Sequence, residues 1–423
     1  MSFALSLSGL NGASRAIDII GNNIANSQTV GFKTSKARFA DVYASSVSGG
    51  PAEGAPNAGV STAIINQQLT QGALIQSDDP LDMAITGPGF FRLNNGGEIT
   101  YSRDGQFQLD YDNATSDQRI LVNNSGLNVT GYLAEYTTDP QGVIASSSAP
   151  VDIVIDAVMP ALATGTVSVG ATLDARAAVP LVAPFDPANP ATYSYTTGLT
   201  VYDSTGASHD MRMYFARSAP GNHWELFSTL DGASQAGPVA MDFDTVGVMS
   251  TAMPLAAQTY ALGAGGSLSI AIDLTGTVQY GNAFSIDSLS HDGYPEGALN
   301  GTNGLSVGAN GVIFGSYSNG QSRKVAQVVL ANFVNPNALI SLGNNQWMAN
   351  ADPVSGSGAE LLDTPQGTLG MGVGAIQGGA KEQSNVDLST ELVALIEQQR
   401  NYQASAQTFK ILDQILQNLA NVR

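Results

Sequence analysis

The chain of 423 residues contains no cysteine. Disulfides, thiolate catalysis and every cysteine-ligated metal site are therefore excluded. A large exported protein of this kind would also escape misoxidation in an oxidising compartment. Basic residues are scarce: 16 Lys and Arg stand against 35 Asp and Glu, for a net charge of −19. Nucleic acid is not an expected partner, because phosphate contact needs a basic surface. Charged residues make up only 12% of the chain, about half the usual share. No stretch of about 18 consecutive apolar residues occurs, so no membrane-spanning helix is expected. The opening MSFALSLSGLNGASR lacks a basic n-region and its apolar run is interrupted, so it does not read as a cleavable secretory signal. If the protein leaves the cell, it needs another route.

Recognisable chemistry is equally thin. The three histidines, His209, His223 and His291, form no H-x-x-x-H pair. His209-Asp210 and His291-Asp292 sit at apparent turns and read as solvated or structural. The run GMGVGA, Gly370 to Ala375, fits a dinucleotide fingerprint loosely, but no strand precedes it and no helix follows, so it reads as loop. Asp110 and Asp112 hint at a calcium loop, yet the spacing fails at Ala114 and the closing Glu is missing. Neither G-x-S-x-G nor a P-loop occurs. The residues point to no catalytic, cofactor-binding or metal site, and the expectation is a protein that is not an enzyme and needs no cofactor.

What is abundant is apolar surface and glycine. Hydrophobic residues are 43% of the chain and glycines number 47, a composition that suits a turn-rich, mainly β protein. The two ends differ from the rest. Phe3, Leu10, Ile17 and Ile24 recur every seven residues, with Ser6, Ala13, Ile20 and Ser27 three positions on, which predicts an amphipathic helix over roughly the first 26 residues. Such a helix spans about 36 Å. Near the other end, Leu388, Leu395, Tyr402, Phe409 and Leu416 recur at the same interval, with Leu392, Gln399, Ala406, Asp413 and Ala420 beside them. Asn385 to Asn421 holds no Pro or Gly, so one helix of roughly 55 Å is expected, capped by Ser384 or Asn385. Neither helix can bury its stripe alone. Two outcomes stay open: the ends pair with each other and with copies of themselves, or they form an intramolecular clamp on a globular body.

Between the helices the pattern is β. The expected layout is nested and mainly β with α-helical termini. Residues 1–26 and 384–423 form a coiled-coil-like terminal core, and 27–70 an extended connection that includes the Pro/Gly-rich stretch Ser45 to Gly59. Residues 71–149 with 305–383 form a discontinuous inner β domain, and 150–304 an outer β domain. Turns are expected at Gly96-Gly97, at Asn319-Gly320 and at Asp104-Gly105, the last as a type I′ hairpin between EITYS and FQLDY.

The stretch NNIANSQTVGFK, Asn22 to Lys33, resembles the signature of the bacterial flagellar rod and hook proteins. The flanking SLSGLNGASRAIDIIGNNIANSQTVGFKTSKARFADVY is similar to their N-terminus nearly throughout. ITGPGFFRL, YSRDGQFQLD and GLNVTGYLAEY resemble their inner β domain, and YSNGQSRKVAQVVLANFVNPNAL with the last helix their C-terminal half. Asn11-Gly12 departs from the small helix formers expected there. Rod proteins of the family are shorter and lack a large outer insertion; hook subunits have one, and the length of this chain favours them.

The resemblance implies an uncleaved subunit exported through the flagellar type III apparatus to an extracellular place on the flagellum. It implies polymerisation into a curved, hollow tube, a universal joint that carries motor torque from rod to filament. The partners it implies are further copies, the hook cap protein, the distal rod protein and the hook–filament junction proteins. The polymerisation seam expected from the helical pattern is Phe3, Leu10, Ile17, Ile20, Ile24, Leu388, Leu392, Leu395, Tyr402, Phe409 and Leu416. The signature turn is Asn22, Asn23, Asn26, Thr29, Gly31, Phe32 and Lys33. In that turn the asparagines end the helix by local bonds, Gly31 takes a left-handed conformation, Phe32 anchors in an apolar pocket and Lys33 stays in water. Competing readings are a distal rod-type protein with an insertion, and an exported β-rich carbohydrate-binding protein or glycosidase, which would need paired carboxylates in a cleft.

Overall fold

Both ends of the chain are long helices. In this computed structural model, α1 spans Phe3–Ala25 and α2 spans Leu388–Asn421. The structure describes residues 3–41, 60–111, 117–137, 139–145, 149–218, 221–232, 234–263, 266–352, 357–364 and 372–421. The expected loop at Ser45 to Gly59, together with Asp112, Ala114, Gly370 and Met371, lies outside them.

The helices pack along each other. On α1 the buried residues are small or polar: Ser6, Gly12, Ala13, Ala16 and Asn23. Gly9 of α1 faces α2, where a Cβ on it would stand 3.4 Å from Ser405 Oγ, an ordinary contact distance. The helix runs unbroken through Asn11-Gly12, and Gly12 lies under the Phe39 ring, 3.6 Å from where its Cβ would be. The start of α2 is capped by Asp387, not by Ser384 or Asn385. Asp387 Oδ1 accepts from the Ser389 and Thr390 amides, and Oδ2 accepts from the Thr390 hydroxyl. Those bonds hold its carboxyl below the usual range, as suits a charge at the positive end of a helix. Asn385 is occupied elsewhere, as described below.

Two compact units divide the chain. The first contains residues 1–156, 300–316 and 322–423; the second contains 157–299 and 317–321. In the first, β1 (Ser35–Asp41) and β2 (Val60–Gln67) form a two-stranded ribbon. Next come β3 (Leu74–Gln76), β4 (Met83–Thr86), β5 (Phe90–Asn95), β6 (Glu98–Ser102), β7 (Phe107–Tyr111), β8 (Gln118–Asn123) and β9 (Asn128–Glu135). Strands from after residue 300 interleave with these. Ser322–Val328 pairs with β9, Leu330–Phe333 with β5 and Gln346–Met348 with β6, all within one fifteen-stranded sheet. Phe90, Tyr101, Phe333 and Trp347 pack together against it, with Tyr101 and Phe333 edge to face at 4.8 Å.

β5 and β6 form a hairpin closed by Gly96 and Gly97, both at positive φ. Asn319-Gly320 lies in the turn between paired strands Val312–Ser316 and Ser322–Val328, with Gly320 at φ 78°. Asp104-Gly105 is no hairpin: β6 pairs with β5 and Gln346–Met348, while β7 pairs with β8. Gly105 serves close approach instead. A Cβ there would lie 1.7 Å from Met83 O, and its own carbonyl accepts the Met83 amide at 2.9 Å.

In the second unit, Tyr195–Tyr202, Ser208–Ser218, His223–Leu230 and Ser234–Asp242 form an antiparallel meander. Thr166–Asp174 centres a second sheet. Along it Val167, Val169, Ala171 and Leu173 alternate inward, the two-residue period of a half-buried strand. They meet Met211, Phe215, Trp224 and Tyr260 in one core.

Candidate functional site at the junction of the chain ends

The signature turn follows α1 and is held by groups far away in sequence. Asn26 Nδ2 donates to Asn22 O at 2.9 Å, and the Thr29 hydroxyl to Asn26 Oδ1 at 3.1 Å, so local bonds close the helix. Asn23 is buried and acts as a short strand: its Nδ2 donates to Ser35 O and its Oδ1 accepts from the Ser35 amide. Gly31 has φ +71°. A Cβ there would lie 2.6 Å from the Asp104 amide nitrogen and 2.7 Å from Arg103 C. Two demands meet at this position, the left-handed backbone and the absence of a side chain. The Gly31 amide donates to Glu382 O at 2.8 Å.

Lys33 does not stay in water. Its side chain is fully buried, with Nζ 2.5 Å from Glu382 Oε1 and 2.8 Å from Thr70 O. Arg103 Nη1 approaches Glu382 Oε2 at 3.3 Å, and its Nη2 donates to Gly87 O at 2.8 Å. The Gly72 amide also donates to Glu382 Oε1. One carboxylate therefore serves two cations and offsets part of the cost of burying them. Burial pushes the pKa values of both Lys33 and Arg103 below their ordinary values, and the Glu382 carboxylate opposes that shift. Burial raises the Asp104 carboxyl next to them.

Asn385 completes the junction. Its Oδ1 accepts from the Thr34 amide and hydroxyl, and its Nδ2 donates to Gln68 O at 2.7 Å and to Thr70. From the turn before Gln346–Met348, Asn345 Nδ2 donates to Val30 O at 2.8 Å. The exit of α1, the entry to α2 and the edge of the sheet are thus one polar knot with a buried ionic centre.

Beside the knot is a cleft of about 770 Å³. Asp18 and Ile19 of α1, Phe32 of the turn, Ile65 of β2 and Trp347 are among its walls. Phe32 is half-buried in this mixed wall rather than sealed in an apolar pocket. Among the described residues no group of three or more His, Asp or Glu is placed to hold a metal ion.

Of the expected seam, Leu10, Ile17, Ile20, Ile24, Leu395 and Phe409 are half-buried, while Leu388, Leu392 and Tyr402 are exposed. The side chains of Phe3 and Leu416 lie outside the described ones. Further exposed apolar residues of α2 lie off the heptad positions. Val393 and Ile411 stand on one side of α2, about five turns apart at 3.6 residues per turn, with Ile396 and Ile415 beside them. These four are 59, 57, 51 and 49% exposed. Ser405, Phe409 and Leu412 point the other way. A strict seven-residue count drifts around a straight helix by about 20° per repeat, which hides this stripe. Nothing in the sequence marks Glu382 or Arg103, since each lies in a segment with no pattern that signals an ion pair.

A β-rich body threaded between paired terminal helices, with an apolar helix face left open, is the architecture of an axial structural subunit. Comparison with known families agrees. The flagella basal body rod protein family matches residues 5–33, and the flagellar hook protein FlgE/F/G D1 domain matches 84–172. The flagellar basal body protein FlaE D2 domain matches 172–294, and the flagellar basal body rod FlgEFG protein C-terminal family matches 377–422. The flagellar hook protein FlgE of Escherichia coli is 38% identical over 100% of both chains. That of Rhizobium meliloti is 31% identical over 99% of this chain and 97% of its own, and that of Borreliella burgdorferi 28% over 99% and 98%. A crystal structure of Helicobacter pylori flagellar hook protein FlgE2 aligns with TM-score 0.48 at 15% identity, over 72% of this chain and 99% of that one. The chain belongs to the flagellar hook protein FlgE family.

Proposed function

We propose that this chain is the repeating subunit of a flagellar hook, polymerising into a curved, hollow tube that passes torque from rod to filament while bending. The observation that carries polymerisation is the outward stripe of α2, Val393, Ile396, Ile411 and Ile415, which α1 leaves uncovered. Apolar area of this kind gains about 25 cal/mol per Å² when removed from water, and further copies of the same helices can remove it. The seam residues Leu10, Ile17, Leu395 and Phe409, half-buried in the single subunit, hold the ends together within and between copies.

The division of labour follows from chemistry. Apolar helix contacts stay fixed, while polar surfaces of the outer β domain exchange partners as the tube bends, since water replaces each lost hydrogen bond at little net cost. In this reading the β domain near residues 150–304 is the part that supplies the exchanging surfaces. The subunit leaves the cell uncleaved through the flagellar export channel; a chain without disulfides can pass unfolded. It meets the hook cap protein, the distal rod protein and the hook–filament junction proteins at its ends, and performs no catalysis.

The test is complementation. Ile17→Asp and Phe409→Asp are introduced separately into a strain lacking its own copy of the gene, and hooks are counted on isolated basal bodies. Exported subunit without hooks is expected from both. Normal hooks from both would refute the role given to the helices.

A further inference from the structure

The cleft beside the signature turn has a shape and charge that the fold itself does not use. Asp18 stands exposed on its rim, with Ile19, Phe32 and Ile65 beside it. Ile65 is 57% exposed, while Ile19 and Phe32 are half-buried. Asp18 has no ion-pair partner among the described residues, in contrast to Asp82 and Glu382, which pair with Lys381 and with Lys33 and Arg103.

A matching surface exists on the same chain. Arg400 lies on the outward side of α2, one turn beyond Ile396 and two beyond Val393, and it too has no ion-pair partner among the described residues. On a chain of net charge −19, Arg400 is a cation one turn past the apolar pair Val393 and Ile396, with exposed Glu397 one turn before it and exposed Gln403 and Gln407 beyond. Arg15 is exposed on α1 only three residues from Asp18 and makes no ion pair with it, and Lys410 sits to the side of the α2 stripe.

We propose that the cleft receives the outward face of α2 from a second copy of this chain, Arg400 meeting Asp18 while Val393 and Ile396 cover Ile19, Phe32 and Ile65. This rests on the reading that the chain polymerises, and it names the surface each subunit offers to the stripe. Charge complementarity fixes the register of one copy against the next, and apolar burial supplies the attraction. The contact also couples assembly to the knot, because Phe32 is held by the turn that Gly31 and Lys33 lock in place.

The chain's lack of cysteine makes the test clean. Full-length Asp18→Cys and Arg400→Cys variants are co-expressed, the assembled material is pelleted, and a short bismaleimide is added. A cross-linked dimer is expected only where both variants are present, and neither variant alone should give one. In parallel, Asp18→Arg and Arg400→Asp should each raise the concentration needed for assembly by about tenfold or more, and the double exchange should bring it back. Tubes that contain both cysteine variants yet give no dimer would overturn this contact and leave polymerisation intact. Absence of any pelletable assembly from the unsubstituted chain would overturn both readings.

Discussion

Lys33 and Glu382 are separated by 349 positions in sequence, yet Lys33 Nζ lies 2.5 Å from Glu382 Oε1 with both side chains fully buried. The pair ties the exit of one terminal helix to the approach of the other. With Arg103 at 3.3 Å on the second oxygen, Glu382 is the single anion neutralising two buried cations.

Removing that anion should therefore cost more than removing either cation. Glu382→Gln is expected to lower the stability of the first unit by about 3–5 kcal/mol, the usual penalty for stranding a buried charge. Lys33→Met, which leaves Glu382 with Arg103, should cost less. The two tryptophans separate the readout: Trp347 belongs to the first unit and Trp224 to the second. Urea midpoints followed at Trp347 should fall in the order given, and those at Trp224 should stay put. Equal losses for the two variants would refute the shared-anion arrangement.

Gly31→Ala should be costly for two reasons at once. The left-handed backbone penalises a Cβ by roughly 1–2 kcal/mol, and the new atom would lie 2.6 Å from the Asp104 amide nitrogen. A drop of at least about 2 kcal/mol in the same Trp347 transition is expected. Gly96→Ala, at an open turn with nothing within 4 Å, should lose only the backbone part.

The second unit carries a pH-dependent ion cluster. His209 Nδ1 is 2.7 Å from Asp231 Oδ2 and Nε2 is 3.5 Å from Asp203 Oδ2, with the imidazole 16% exposed. The hydrogen bond to Asp231 raises the histidine pKa, with Asp203 adding to it. That stability is fully present below about pH 6.5, the unfolded value, and is lost as pH rises through the raised folded value. Asp203 is held down to about 2, first by its bond from the Thr205 hydroxyl, and Asp231 is lowered by His209. Their contribution is present above about pH 3.9 and lost on acidification through the folded values. Urea midpoints at Trp224 should peak between about pH 4 and 6.5, and His209→Gln should remove the decline on the alkaline side. Identical alkaline slopes in both proteins would show that the cluster contributes nothing.

Ile411→Asp separates folding from assembly. The side chain is 57% exposed in the single subunit, so its replacement should change subunit stability by no more than about 0.5 kcal/mol. Assembly should nevertheless stop, since the charge would have to enter an apolar contact between copies. Sedimentation after concentration in ammonium sulfate, a salt that strengthens apolar burial, would reveal either outcome.

Much of this architecture was legible in the sequence because it is written in local periodicity. Seven-residue recurrence marked both terminal helices, Gly96-Gly97 marked the first hairpin, and the Asn22 to Lys33 stretch marked the family. What was hidden depends on distant partners. Lys33 reads as a wet lysine until Glu382 is placed against it. Asp104-Gly105 reads as a turn until Met83 O occupies the space a Cβ would need. Asn385 reads as a helix cap until Thr34 and Thr70 take its side chain and Asp387 takes the cap. The outward stripe of α2 escaped because a fixed heptad count drifts against the true helical repeat.

Electron microscopy of the purified full-length chain, concentrated in ammonium sulfate, tests the central claim most directly. The account predicts curved, hollow tubes of uniform width. Straight tubes would contradict the assignment to a bending joint, and a chain that stays monomeric even when seeded on isolated hooks would contradict self-assembly through its terminal helices.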